Sequence, residues 1–284
     1  MKMQSKFILT NGVHLHYLDF GTDSNNSSDT ILFIHGLTAN AHAFDAIIES
    51  ELIKQYRIIS VDLRGRGLSD QPETGYTMLD HAKDIIGLLK NLDVKNIHIV
   101  GHSFGGFLGL YLAIYYPAII NKLIILDAAV DMHPNTKEML GPALGRLGQV
   151  FDSFDTYIAK VKQAPYLSFW DEAMLSYYKA DVFQNIDGTV TPRSKPAHMM
   201  EAVLKGSLGL PWKEIIGLCN KDVLLINAPG IYSLGAALLP EDLARETVAL
   251  LPKAQYQKVE GNHQTMLYGI GAKQIKSFIK TFLN

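Results

Sequence analysis

Between Lys95 and Lys122 the chain carries no charged residue, and the middle of that neutral stretch reads Gly101-His102-Ser103-Phe104-Gly105-Gly106. An apolar, strand-like run, Asn96–Val100, leads into these residues, and a run of helical length, Phe104–Tyr115, leaves them. A serine on so sharp a turn takes strained backbone angles, and side chains beside it collide with the strand and the helix. Glycine at 101 and 105 removes the collision. The turn aims Ser103 Oγ at the C-terminal edge of a sheet. It also leaves the Phe104 N–H at a helix N-terminus, where the potential is positive. A neutral stretch this long invites comparison with a membrane span. The polar His98, His102 and Ser103, four glycines and Pro117 argue against one.

Around this turn the sequence alternates. Lys6–Thr10 and Val13–Phe20 flank Asn11-Gly12, a hairpin dipeptide, and the polar stretch Gly21–Thr30 reads as a loop. Ile31–Ile34, Arg57–Val61, Asn96–Val100 and Lys122–Leu126 read as compact buried strands, with helices expected over Ala43–Ile53, Met78–Leu92 and Phe104–Tyr115. From about Asp131 to Trp212 the pattern turns helical and aromatic, with no buried strand expected. The β/α alternation resumes with Asp222–Asn227, Glu241–Leu251, Gln255–Val259 and Gly271–Phe282. The expected architecture is an α/β fold: a doubly wound, mostly parallel eight-stranded sheet with a helical cap inserted after the sixth strand. Residues 1–130 and 213–284 form the core and 131–212 the cap.

Composition narrows the function. Of 284 residues, 48% are hydrophobic, enough to exclude a disordered chain. The 26 basic and 28 acidic residues leave a net charge of −2, which provides no basic surplus for following a phosphate backbone; nucleic acid is not an expected partner. One cysteine, Cys219, rules out an internal disulfide framework or a cysteine-built metal site. The opening MKMQSKFILTNG has neither an apolar core region nor a small-residue cleavage site, so a cytoplasmic location is expected. No metal, nucleotide or redox cofactor is suggested.

Taken together, LFIHGLT (Leu32–Thr38), DLRGRGLSD (Asp62–Asp70), GHSFGG (Gly101–Gly106) and EGNHQTM (Glu260–Met266) resemble the α/β-hydrolase family. The similarity is to its capped, epoxide-hydrolase-like branch of serine esterases, lactonases and C–C hydrolases, and it runs over nearly all of the chain outside the cap. The resemblance makes Ser103 the nucleophile and His263, in the loop after the last strand, its general base. It assigns the oxyanion hole to the backbone N–H groups of Leu37 and Phe104, with His35 orienting the loop. Serine at 103 argues against the dehalogenase and epoxide hydrolase chemistries of this family, which use aspartate there. Arg64 and Arg66 are expected to organise the loop after the fourth strand.

The third member of the triad departs from the family. Its usual position falls near Gly230–Ile231, and Val223–Pro240 holds no Asp or Glu. Asp222 sits at the far end of its strand, and Glu241 and Asp242 suit the first turn of a helix. Asp127, at the end of the preceding strand, is the candidate acid. Asp131 is the second choice and a dyad without an acid the third. His102, His98 and His133 read as packing, core and loop histidines. The cap's aromatics, with Met174, Met199 and Met200, read mainly as its own core, some of them lining a pocket. The expected activity is cleavage of a carboxylic ester or lactone of a small, largely apolar molecule through an acyl-enzyme on Ser103. The alternatives are C–C bond hydrolysis of a ring-cleavage diketone and a slow-turnover, ligand-binding signalling hydrolase. The expected assembly is a monomer or homodimer.

Overall fold

A computed structural model describes residues 3–21, 29–48 and 50–284. Residues 1 and 2 of the opening segment and 22–28 of the expected Gly21–Thr30 loop lie outside the described residues. The strands are β1 (Gln4–Thr10), β2 (Val13–Asp19), β3 (Thr30–Ile34), β4 (Arg57–Val61), β5 (Ile97–His102), β6 (Ile120–Leu126), β7 (Val182–Gln184), β8 (Val190–Pro192), β9 (Asp222–Asn227) and β10 (Ala254–Lys258). Eight of them form one sheet in the order β1-β2-β4-β3-β5-β6-β9-β10, while β7 and β8 pair separately. The β1–β2 hairpin turns at Asn11-Gly12 as its sequence requires, and β2 joins β4 antiparallel. From β4 to β10 every pairing is parallel.

The central strands are apolar along their whole length because both faces are covered. Leu32, Ile34, Ile99, Leu123, Ile125, Val223 and Leu225 point to one core, which also takes Ile85, Leu88 and Leu108. These three come from α2 (Met78–Asn91) and α3 (Phe104–Tyr115). The alternate residues Ile31, Phe33, Val100, Ile124, Leu126, Leu224 and Ile226 point the other way. There they meet Leu52 of α1 (Ser50–Gln55) and Ile275 and Ile279 near the C-terminus. The single helix expected over Ala43–Ile53 is instead a 3₁₀ turn, Ala41–Phe44, followed separately by α1. Asn40 caps the turn by accepting the His42 N–H, and Asp62 accepts the Ala41 N–H, which fastens the turn to the end of β4.

Between β6 and β9 lie the short helices α4 (Thr136–Met139) and α5 (Gly141–Leu144), then α6 (Phe154–Val161), α7 (Met174–Asp181), α8 (Pro196–Glu201) and α9 (Trp212–Ile215). A π-helical stretch, Ala202–Ser207, continues α8. The β7–β8 hairpin in this segment departs from the sequence expectation of no buried strand: Val182 and Val190 are both buried. Three residues per strand are too few to establish a period of two, and the hairpin is closed by its turn, where Asn185 donates to Thr189 and Gly188 has a φ of 88°. After β9 come α10 (Glu241–Leu250) and, last, α11 (Gly269–Leu283). Among the described residues no helix is long and apolar enough to cross a membrane.

Arg64, in the loop after β4, makes two 2.6 Å bonds to the Asp84 carboxylate on α2, and both side chains are buried. Removing one partner strands a charge in low dielectric. Asp84→Asn is therefore expected to cost about 3–5 kcal/mol in urea unfolding. A loss below 1 kcal/mol would show the pair to be dispensable.

Candidate active site

Leu37 follows β3, Ser103 follows β5, Asp127 follows β6 and His263 follows β10, so the parallel strands deliver all four to one edge of the sheet. The elbow is as tight as its glycines imply. A Cβ on Gly105 would lie 2.0 Å from the Ile34 carbonyl oxygen, and one on Gly101 would lie 2.2 Å from the Gly105 oxygen. Ser103 has φ 54° and ψ −116°, a conformation costing on the order of 1–3 kcal/mol that only surrounding structure can hold. It is held by its N–H, which donates to the Leu126 oxygen at 2.9 Å, and by its C=O, which accepts from Gly106 at 2.8 Å.

Asp127 is fully buried and also left-handed, with a φ of 53°. Its N–H donates to Ile226 at 2.8 Å, fixing it to the end of β9. Oδ1 accepts from Asn227 Nδ2 at 2.9 Å and from the Ala228 N–H at 2.8 Å, leaving Oδ2 for His263 Nδ1 at 2.8 Å. A carboxylate oxygen opposite Nδ1 requires the proton on Nδ1, so Nε2 is the free base nitrogen. Ser103 Oγ makes no hydrogen bond among the described residues. Asp131 is turned outward to an ion pair with Lys213, and Glu241 pairs with Arg245 and Lys258.

At Gly230, one of the two residues of the empty family position, a side chain has no room. A Cβ on Gly230 would lie 2.3 Å from the Gly261 oxygen and 2.9 Å from its carbonyl carbon. The Gly230 N–H donates to that same oxygen at 3.0 Å. The β9 loop and the histidine loop are thus in backbone contact, with no room for an acidic side chain between them.

Neither the Leu37 nor the Phe104 N–H has an acceptor among the described residues. The peptide plane carrying the Leu37 N–H is pinned from its other side, since the Gly36 carbonyl accepts from His35 Nδ1 at 2.7 Å. His35 Nε2 in turn accepts the Leu63 N–H at 3.0 Å, which fixes the tautomer. Burial lowers the His35 pKa to about 4 and keeps the ring neutral. The Ser103 carbonyl, on the plane of the Phe104 N–H, is bonded to Gly106 in the same way.

Several contributors carried no sequence signal strong enough to name them. His102, expected only to pack, donates from Nε2 to the His263 carbonyl at 2.8 Å, and burial drives its pKa down. Asn227 holds Asp127 while bonding the Leu239 carbonyl and the Tyr256 hydroxyl. Asn262 accepts from Gln264 and Thr265 and donates to Tyr166 and Ile231, shaping the turn on which His263 sits; an Asn just before that histidine was the available hint. Tyr232 presents its ring edge-on to His263 at 5.7 Å and stacks on Tyr166 at 5.2 Å, with Leu238 and Met139 completing the cluster. Most of the other aromatics and methionines of the segment before β9, including Tyr157, Met174, Tyr177 and Tyr178, pack in the second core.

A hydrogen-bonded serine–histidine–aspartate chain occurs elsewhere. Ser5 Oγ is 2.8 Å from His16 Nε2, and His16 Nδ1 is 2.7 Å from Asp62 Oδ2. Ser5 lies within the β1–β2 ladder opposite Leu18, so it has a base but no pair of converging N–H donors.

His35 is neutral in the fold and protonates near pH 6.5 once unfolded, so its contribution is complete above pH 6.5 and lost as pH falls through about 4. Unfolding free energy should drop between pH 7 and 4, and His35→Gln should remove about 3 kcal/mol of that drop; identical pH slopes would refute it. Gly230→Ala should displace the histidine loop, costing about 1–3 kcal/mol in urea unfolding together with activity. An unchanged variant would contradict the contact.

Comparison with known proteins bears on the fold. A family model described as alpha/beta hydrolase fold matches residues 29–185, more than half of the chain. A 2-(acetamidomethylene)succinate hydrolase of Mesorhizobium japonicum is 26% identical over 241 residues, covering 83% of each protein. A crystal structure of E-2-(acetamidomethylene)succinate hydrolase superposes with a TM-score of 0.85 at 23% identity, covering 99% of both chains. A meta-cleavage product hydrolase of Pseudomonas fluorescens IP01 superposes at 0.75 with 22% identity, covering 98% of this chain and 97% of that one. The chain belongs to the alpha/beta hydrolase fold family.

Proposed function

We propose that this protein is a serine hydrolase that cleaves a carboxylic ester or lactone of a small, largely apolar molecule through an acyl-enzyme on Ser103. The observation carrying this reading is the 2.8 Å bond from His263 Nδ1 to a buried Asp127 beside a serine held at φ 54°. Ser103 Oγ attacks the substrate carbonyl carbon and its proton passes to His263 Nε2. The carbonyl oxygen takes the electron pair and is held by the Leu37 and Phe104 N–H groups. Collapse of this intermediate expels the alcohol, which takes the proton from His263. Water then attacks the acyl carbon, gives a proton to His263, and the acid leaves as Ser103 regains its hydrogen.

In this reading residues 1–130 and 213–284 are the catalytic core and 131–212 its cap. The support is that Asn40 donates to the Tyr177 carbonyl, Arg146 to that of Thr38 beside Leu37, and Asn262 to that of Tyr166. The Tyr166–Tyr232–Leu238–Met139 cluster beside His263 favours an apolar substrate. The Mesorhizobium relative makes 2-(acetamidomethylene)succinate the first further compound to assay.

A fluorophosphonate probe should label the wild type on the peptide bearing Ser103 and leave Ser103→Ala unlabelled, with no label on Ser5. Asp127→Asn should keep the fold by circular dichroism and lose about 10⁴-fold in p-nitrophenyl ester turnover, because the imidazole tautomer is no longer held. Unlabelled wild type, or near-normal turnover by Asp127→Asn, contradicts the assignment.

A further inference from the structure

Arg66 has no solvent exposure, and its donors go to carbonyl groups and a neutral ring instead of a carboxylate. Nε donates to the Leu37 oxygen at 2.9 Å, Nη1 to the Arg64 oxygen at 2.8 Å, and Nη1 lies 3.4 Å from His81 Nε2. Nη2 has no partner among the described residues. Burial brings the Arg66 pKa down to about 9, so the group still carries its charge at neutral pH. Its neighbour Arg64, by contrast, is matched by Asp84.

The uncompensated cation touches both residues of the proposed oxyanion hole. It is bonded to the Leu37 carbonyl, and its guanidinium carbon lies 5.2 Å from the centre of the Phe104 ring. That ring is fixed on other sides by His81, edge-on at 5.1 Å, and by the π-helical turn. There a Cβ on Gly206 would stand only 3.1 Å from the ring. A buried charge without a counter-ion is costly in the resting protein, and an opposite charge that arrives during function recovers part of that cost. The acyl oxygen held by Leu37 and Phe104 becomes negative only in the tetrahedral intermediate, and an interaction made only then raises kcat and leaves substrate binding unchanged.

We propose that Arg66 is a positioning residue of the oxyanion hole: it ties the Leu37 carbonyl to the Phe104 ring and supplies a preorganised positive charge whose counter-charge is the oxyanion. The proposal rests on the Ser103 acyl-enzyme reading and deepens it.

The test compares wild type, Arg66→Lys and Arg66→Met with a p-nitrophenyl ester, alongside inhibition by a trifluoromethyl ketone, which forms a tetrahedral oxyanion on an activated serine. Arg66→Met should lose about 10–100-fold in kcat with KM nearly unchanged, and lose ketone affinity by a similar factor, somewhat less than removal of a hole donor outright. Arg66→Lys, which keeps the charge, should recover part of both losses. Thermal unfolding of each variant separates these effects from a loss of fold, and if Arg66→Met does not fold, the ketone affinity of Arg66→Lys decides. An unchanged kcat in a folded Arg66→Met, or unchanged ketone affinity in Arg66→Lys when Arg66→Met fails to fold, overturns the proposal. So does a loss confined to KM for carboxylate-bearing esters, which makes Arg66 a substrate anchor. In either case fluorophosphonate labelling of Ser103 persists, whereas absence of labelling in wild type overturns the underlying reading instead.

Discussion

The contact on which the rest of the site depends is the approach of α3 to the end of β3, where Gly105 lies so close to the Ile34 carbonyl that a methyl group would overlap it. That approach sets the N-terminus of α3 beside the loop containing Gly36, where a Cβ would stand 3.4 Å from that of Ser103. The same compression forces Ser103 into a left-handed conformation, and the strain is sustained because β5 is paired on both sides, to β3 and to β6. His35 and Gly106 then fix the peptide planes of the Leu37 and Phe104 N–H groups by bonding the carbonyl on the far side of each.

A second constraint radiates from Asp127. The histidine loop and the β9 loop meet backbone to backbone at Gly230 and Gly261, which leaves no room for a side chain at Gly230. The end of β6 supplies a carboxylate instead, one strand over, and β9 contributes the Asn227 carboxamide and the Ala228 N–H that orient it. Carboxylate and orienting groups are divided between two neighbouring strand ends, and the carboxylate holds the proton of His263 on Nδ1. The Ser5–His16–Asp62 chain shows by contrast that a polarised serine alone is common hydrogen-bond geometry. What distinguishes Ser103 is its strained turn at the N-terminus of α3, next to the unbonded Phe104 N–H.

Much of this was legible in the chain. Strands such as Arg57–Val61 and Asp222–Asn227 and the helix Phe104–Tyr115 fall where apolar runs and periodicity place them, because burial on both faces or on one stripe is written in contiguous residues. The break of Ala43–Ile53 into a 3₁₀ turn and a separate helix was not legible, because Asp62, far along the chain, takes the Ala41 N–H. Nor was the β7–β8 hairpin, whose strands are too short to declare a period.

The amino-acid sequence by itself determined the alternating fold and the turn at Ser103, since a glycine-flanked serine between strand and helix is a local steric statement, while His263 was singled out only by the resemblance. It also left Val223–Pro240 without a carboxylate, and so posed the question of the acid. Only tertiary structure brings a carboxylate to the histidine. Asp127 reaches His263 across 136 positions and Asn227 reaches Asp127 across 100, contacts that strand order creates and no periodicity encodes. The same holds for Arg66, an ordinary loop arginine in the sequence, which becomes an unpaired buried cation only when β3, α3 and the π-helical turn close around it.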